Sequence, residues 1–253
     1  IIPLGFKLLD VYLNAGFKLK ELIIKRQHNC KTTGFWYEKS IKYNFLLLAH
    51  EYLFVFEKPE IKKHLLAKEK KSSEISVLEK KLRSYKPVDK LETTSVWVFP
   101  QKDFEFLLNK NVINRYSDGQ RYLILDFFPQ INKKYEFGKK KDINLVFIKS
   151  SFLDNYSYFD VESYLNEIKN VVFQLLPDIV NNGFLVVEIK DVRVNGYIEP
   201  LAKKIFEQLA HKCLFLKEIV IVTFEQQSNN NSLVSAEDLE IVHKYLLVYE
   251  VKK

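Results

Sequence analysis

Apolar and polar positions follow two periods along this chain, and the switches between them mark its elements. The segment QKDFEFLLNKNVINRY, from Gln101, carries apolar residues at three- and four-residue intervals and predicts a helix. YLILDFF, from Tyr122, and INLVFIKSSF, from Ile143, are short apolar runs of the kind that form buried strands. VESYLNEIKNVVFQLLPDIV returns to a helical period, with a stop expected at Asn181, Asn182 and Gly183, and GFLVVEIKDV then predicts another strand. Strands and helices that alternate in this way predict an α/β fold, a mostly parallel sheet with helices on both faces.

Between Glu57 and Glu92 the composition turns to Lys, Glu and Ser, and the pattern fades into a charged linker. The chain therefore divides into residues 1–58, a linker at 59–92 and a larger block at 93–253. The two outer parts share a pattern. PLGFKLLDVYLNAGFKLKELIIK, from Pro3, aligns with PLAKKIFEQLAHKCLFLKEIVIV, from Pro200, at a constant offset of 197. Pro3, Leu4, Lys7, Leu19, Lys20, Glu21 and Ile24 are identical to their counterparts in the second segment. After a loop four residues shorter in the second copy, AHEYLFVFEK from Ala49 matches VHKYLLVYEV from Val242. This predicts two copies of a unit built as helix, strand, long loop and strand. The first copy lacks the elements that precede the second, so its front half is expected ahead of residue 1, and the smaller piece is not expected to fold alone.

With 253 residues, 47% of them hydrophobic, the chain can bury a sizeable core. Its apolar runs are far shorter than the roughly 20 residues that span a bilayer, and no leader stands at the front, which argues a cytoplasmic protein. Cys30 and Cys213 are distant in sequence and form no paired motif. The net charge of +7 favours a polyanionic partner. Methionine is absent even at position 1, which suggests a fragment of a longer chain.

The order of FEFLLNKNVINRYSDGQRYLILDFFPQ, LVFIKSSF, LLPDIVNNGFLVVEIKDVR and the two endings HEYLFVF and HKYLLVY resembles the permuted branch of the S-adenosylmethionine-dependent DNA amino-methyltransferases. These enzymes methylate adenine N6 or cytosine N4. The resemblance covers most of residues 93–253 and, separately, 1–58. It implies a Rossmann-like methyltransferase sheet, mostly parallel with a C-terminal antiparallel hairpin, S-adenosylmethionine as cofactor and DNA as partner. It places Asp126 and Phe128 at the cofactor turn, and Lys149, Ser150, Ser151 and Phe152 where the family holds the flipped base.

Both motifs are degenerate. The family's cofactor turn is rich in glycine so that the ligand can lie against bare backbone, whereas Asp126-Phe127-Phe128-Pro129-Gln130 has none. A lysine donates hydrogen bonds and cannot accept one from a target amino group, so Lys149 is the wrong residue for base recognition. The 93–253 block is accordingly expected to be non-catalytic, with an active unit upstream and the two copies packed as a pseudo-dimer, or the chain in a homo-oligomer. A rival expectation is a nucleic-acid-binding or scaffold protein that is inert throughout, and RNA in place of DNA is a third.

Lys25, Arg26, His28, Lys31, Trp36 and Tyr37 lie close together in KRQHNCKTTGFWYEKS. Cations that neutralise phosphates beside rings that stack on bases make this the leading nucleic-acid candidate, against a solvated loop with a buried tryptophan. Lys139, Lys140 and Lys141 are a lesser one. His28, Cys30 and His50 lack the spacing of a metal site. His50 and His243 are expected to make structural hydrogen bonds. Asp191 and Arg193 fit either a pocket rim or a local salt bridge.

Overall fold

The computed structural model describes residues 2–27, 31–58, 92–127, 142–150, 160–225 and 239–253. Its centre is a six-stranded sheet made of β3 (Val96–Phe99), β4 (Tyr122–Asp126), β5 (Ile143–Lys149), β6 (Ile179–Ile189), β9 (Leu214–Phe224) and β10 (Lys244–Val251). The spatial order is β3-β9-β10-β6-β5-β4. All strands run parallel except β10, which is antiparallel to both neighbours. This is the Rossmann-like, mostly parallel α/β sheet with a C-terminal antiparallel hairpin.

Side-chain alternation explains the two layers of core. Leu145, Phe147, Val186, Leu246 and Val248 face α3 (Phe104–Tyr116), which buries Leu108, Val112 and Tyr116 against them. Val146, Ile148, Val187, Tyr245 and Leu247 face the opposite side. There α4 (Val161–Leu175) and α5 (Leu201–Gln208) complete the core with Leu165, Ile168, Leu201 and Ile205. Asp160 caps α4 by accepting a hydrogen bond from the Ser163 amide.

Several elements depart from the sequence expectation. β3 has no counterpart in it; the short apolar run SVWVF, ended by Pro100, pairs in parallel with β9 and buries Trp97 completely. β4 is only half-buried because it is the sheet edge. Helix α4 stops before Pro177, which lacks an amide donor, and the chain enters β6 at Ile179. Asn181, Asn182 and Gly183 therefore lie inside β6, where the register slips against β5. Asn182 has φ 60°, and a Cβ on Gly183 would stand 2.9 Å from the Asn144 carbonyl oxygen. The expected long loop of the first copy contains a helix, α2 (Lys31–Lys42). The linker at 59–92 lies outside the described residues except for Glu92.

Residues 3–57 form α1 (Leu4–Asn14), β1 (Lys18–Arg26), α2 and β2 (His50–Glu57), with β1 and β2 paired antiparallel. The aligned segments have the same local geometry. Pro3 and Pro200 precede their helices at φ/ψ of −79°/78° and −80°/77°. The ladder slips at Lys20 between β1 and β2 and at Lys217 between β9 and β10, which are aligned positions. A small antiparallel pair, β7 (Val192–Val194) and β8 (Tyr197–Glu199), lies against β1.

A two-stranded hairpin has too little core to stand alone. Here Leu22, Ile24, Tyr52, Phe54 and Phe56 pack on the α5 side of the main core, and Phe6 meets Phe206 with ring centroids 5.8 Å apart. Two glutamates at aligned positions brace the contact. Glu21 accepts from Arg193 at 2.8 Å and from the Leu239 amide at 3.3 Å. Glu218 accepts from the Leu46 amide at 2.8 Å and from the Tyr116 hydroxyl. Glu218 is buried, so Glu218→Ala strands an amide and a phenol. Urea denaturation should show a loss of about 2–4 kcal/mol, against less than about 2 kcal/mol for Glu21→Ala, where Arg193 keeps backbone acceptors.

Candidate functional site at the strand ends

In open α/β sheets, ligands bind beyond the carboxyl ends of the parallel strands. In this chain the α3-facing apolar stripes of four neighbouring strands each end in a charge. Across β4, β5, β6 and β10 these are Asp126, Lys149, Glu188 and Lys244, alternating in sign. Lys244 joins the row because β10 is reversed and begins at that edge.

The pairing is local. Asp126 and Lys149 stand opposite each other in the ladder, with Lys149 Nζ 3.7 Å from Asp126 Oδ1. Lys149 also pairs with Glu105, which the first turn of α3 places over the strand ends, where the helix N-terminus favours an acid. Lys149 is buried, while both carboxylates reach solvent. Glu188 is fully buried and paired with Lys244 at 3.0 Å. Burial pushes its carboxyl above the usual range, with Lys244 pulling the other way, and Glu188 Oε2 has no hydrogen-bond partner among the described residues.

On the α4 side the same edge is filled by rings. Phe127 is buried against Tyr164 with centroids 5.7 Å apart, and its amide donates to the Lys149 carbonyl at 2.8 Å. Ser150 Oγ and Tyr164 Oη are 2.8 Å apart, and burial raises the phenol strongly. Phe128, Ser151 and Phe152 lie outside the described residues, as do Lys139, Lys140 and Lys141.

Among the described residues, the charges at the strand ends do not favour the cation of S-adenosylmethionine. Its sulfonium is a cation, and at this edge a buried ammonium stands beside the carboxylates of Glu105 and Asp126. Glu105, Glu188, Lys244 and Tyr164 are not singled out by the sequence reading. The available signal is the strand alternation itself, since each apolar stripe, continued by two residues, reaches a charge.

The candidate nucleic-acid residues lie on two elements. Lys25 and Arg26 end β1, and Lys25 pairs with Glu51 at 3.1 Å on the surface. Lys25 and Gln27 together hold the Glu51 carboxyl low. Lys31 opens α2, on which Trp36 is exposed with Lys39 Nζ 4.5 Å from its ring centroid. Tyr37 is half-buried and its carbonyl accepts from Ser40 at 2.8 Å. His28 and Cys30 lie outside the described residues, and among the described ones no three His, Cys, Asp or Glu side chains group as a metal site.

Asp191 and Arg193 do not pair with each other. Arg193 reaches the Lys20 carbonyl and Glu21 on β1. Asp191 is buried and accepts from the Ala202 amide at 3.0 Å, and burial raises its carboxyl to about 7. The histidines bond as the sequence suggested, His50 to Ser95 at 2.8 Å and His243 to Tyr245 at 3.0 Å. Burial lowers each to about 4.

No family model matches this chain, and no curated protein does. Three solved structures of one provisionally assigned DNA modification methylase from Thermus thermophilus are similar at low identity. One aligns at 18% identity over 53% of this chain and 53% of that one, with a TM-score of 0.33. A second aligns at 16% over 46% and 49%, TM-score 0.34. The third, complexed with S-adenosyl-L-methionine, aligns at 16% over 53% and 56%, TM-score 0.35. The match spans about half the length of that protein. Among the described residues, no helix is long and apolar enough to cross a membrane.

The paired charges differ in what their loss should cost. Lys149→Met leaves two carboxylates that reach water and should change stability by no more than about 1 kcal/mol, whereas Lys244→Met isolates buried Glu188 and should cost about 3–5 kcal/mol, recovered in part by adding Glu188→Gln. Chemical denaturation measures both. The buried histidines and Asp191 set a dependence on pH. Folded histidines near 4 lose stability as pH falls from 6.5 to 4, up to about 3 kcal/mol each. Folded Asp191 near 7 opposes them, since its contribution is lost as pH rises from 3.8 to 7. Asp191→Asn should therefore steepen the acid loss of stability between pH 6.5 and 4, as denaturation at a series of pH values would show.

Proposed function

We propose that this chain belongs to a DNA amino-methyltransferase-like protein acting on adenine N6 or cytosine N4, and that its 93–253 unit handles DNA without performing chemistry. On this reading residues 1–58 are the C-terminal part of a first unit, 59–92 a charged linker, and 93–253 a second, degenerate unit. The aligned positions, the equivalent helix starts and the equivalent ladder slips support the two-unit division.

The observation that carries the non-catalytic assignment is the charge row at the strand ends. Lys149 pairs with Glu105 and Asp126, and Lys244 pairs with Glu188, so the charges at the edge that would take a cofactor are engaged with one another. Support for DNA as partner comes from the net charge of +7 and from α2, where Lys39 and Lys42 flank exposed Trp36 and Tyr43.

Calorimetric titration tests both halves. S-adenosylmethionine should give no binding heat up to ~1 mM, the millimolar limit of weak affinity. Duplex DNA should bind with an affinity that falls steeply with salt. Lys39→Glu together with Lys42→Glu should reduce that affinity by about tenfold and lower the salt slope by about 2. Micromolar cofactor binding would overturn the non-catalytic assignment, and salt-insensitive or absent DNA binding would remove the DNA role and favour a scaffold.

A further inference from the structure

Five apolar side chains of the first unit are exposed although their aligned counterparts in the second are completely buried. Leu4, Leu8, Tyr12, Leu53 and Val55 are 39–73% exposed. Their counterparts Leu201, Ile205, Leu209, Leu246 and Val248 are each 0% exposed. The difference lies in what surrounds each hairpin. In the second unit, α3 covers Leu246 and Val248, and α4 and the sheet cover Leu201 and Ile205. β6 pairs with the outer edge of β10 from Tyr245 to Glu250. The aligned edge of β2 has no strand beside it among the described residues.

We infer that β2 and the outer face of α1 are the docking surface for an α/β half-sheet lying ahead of Ile1 in the same polypeptide, with its last strand antiparallel to β2 as β6 is to β10. This rests on the two-unit reading above. The open face is continuous with an interface already formed, since Phe6 and Leu9 on one side of α1 are sealed against the main core while Leu4 and Leu8 on its other side are not. Chain order names the occupant: the elements that cover α5 and β10 precede them, at residues 104–189. The β6 of a second copy is paired on both edges and is not available for this pairing.

Outward-facing apolar groups on a bare strand edge are also what an aggregation-prone sheet presents, and such edges are normally covered. A paired strand of this kind protects its amides, so exchange rates read the covering directly.

Hydrogen exchange of the β2 amides, Tyr52 to Glu57, tests the inference in residues 1–253 alone and in the natural polypeptide with the residues ahead of Ile1 restored. The upstream residues should slow exchange in β2 by about 100-fold, and Leu53→Lys should reverse that slowing while leaving 1–253 folded by circular dichroism. Equal exchange in the two forms would overturn the inference, as would a natural polypeptide with no residues there. A dimer of 1–253 dispersed by Leu53→Lys would overturn it in favour of a second copy. None of these outcomes bears on cofactor or DNA binding, which report on the 93–253 strand ends and on α2.

Discussion

A lysine ammonium buried at the end of a sheet strand must be paired, because an isolated charge in that setting costs several kcal/mol. Lys149 meets this constraint through two neighbours from different elements, and much of the molecule is arranged accordingly. Glu105 ties the start of α3 to the sheet, and Asp126 ties the edge strand β4 to β5. One strand further in, Glu188 and Lys244 join β6 to the reversed β10. The four charges alternate in sign across the edge, so each partner is within reach of an opposite charge. The edge at which this fold class binds ligands carries paired charges here.

The opposite side of the sheet carries a second dependency. The β1–β2 hairpin completes the core with Tyr52, Phe54 and Phe56, and it is anchored by aligned glutamates that point across the contact in both directions. Between the two hairpins lies a buried polar centre. Asp191 acts electrostatically on both Tyr52 and Tyr245, and His50 on His243. Burial opposes charge on the histidines and the aspartate alike, so near neutral pH the histidines are neutral while Asp191, raised to about 7, is changing its charge.

Much of the fold was legible in the sequence because its signals are local. The period of 161–175 and the apolar run Leu145 to Ile148 in β5 are sufficient in themselves. The errors have identifiable causes. β3 is four residues long and gains its identity only from pairing with β9, more than a hundred positions away. Asn181, Asn182 and Gly183 have the composition of a helix stop, yet buried Ile179 draws the chain into the sheet before them. α2 has a weak apolar stripe and reads as loop. At the site, Asp126 was visible as a match to a motif and Lys149 as a departure from one. Glu105, Glu188 and Lys244 were not, because topology alone brings residues from widely separated parts of the chain to one edge.

The strand-end charges among the described residues are paired with one another, Lys149 with Glu105 and Asp126 and Lys244 with Glu188. Heteronuclear NMR of the lysine ammonium groups, assigned with Lys149→Arg and Lys244→Arg, tests this pairing most directly. The Lys149 ammonium should give a signal protected from solvent exchange that stays unchanged as S-adenosylmethionine is added. A signal that exchanges freely, or that shifts saturably with the cofactor, would contradict it.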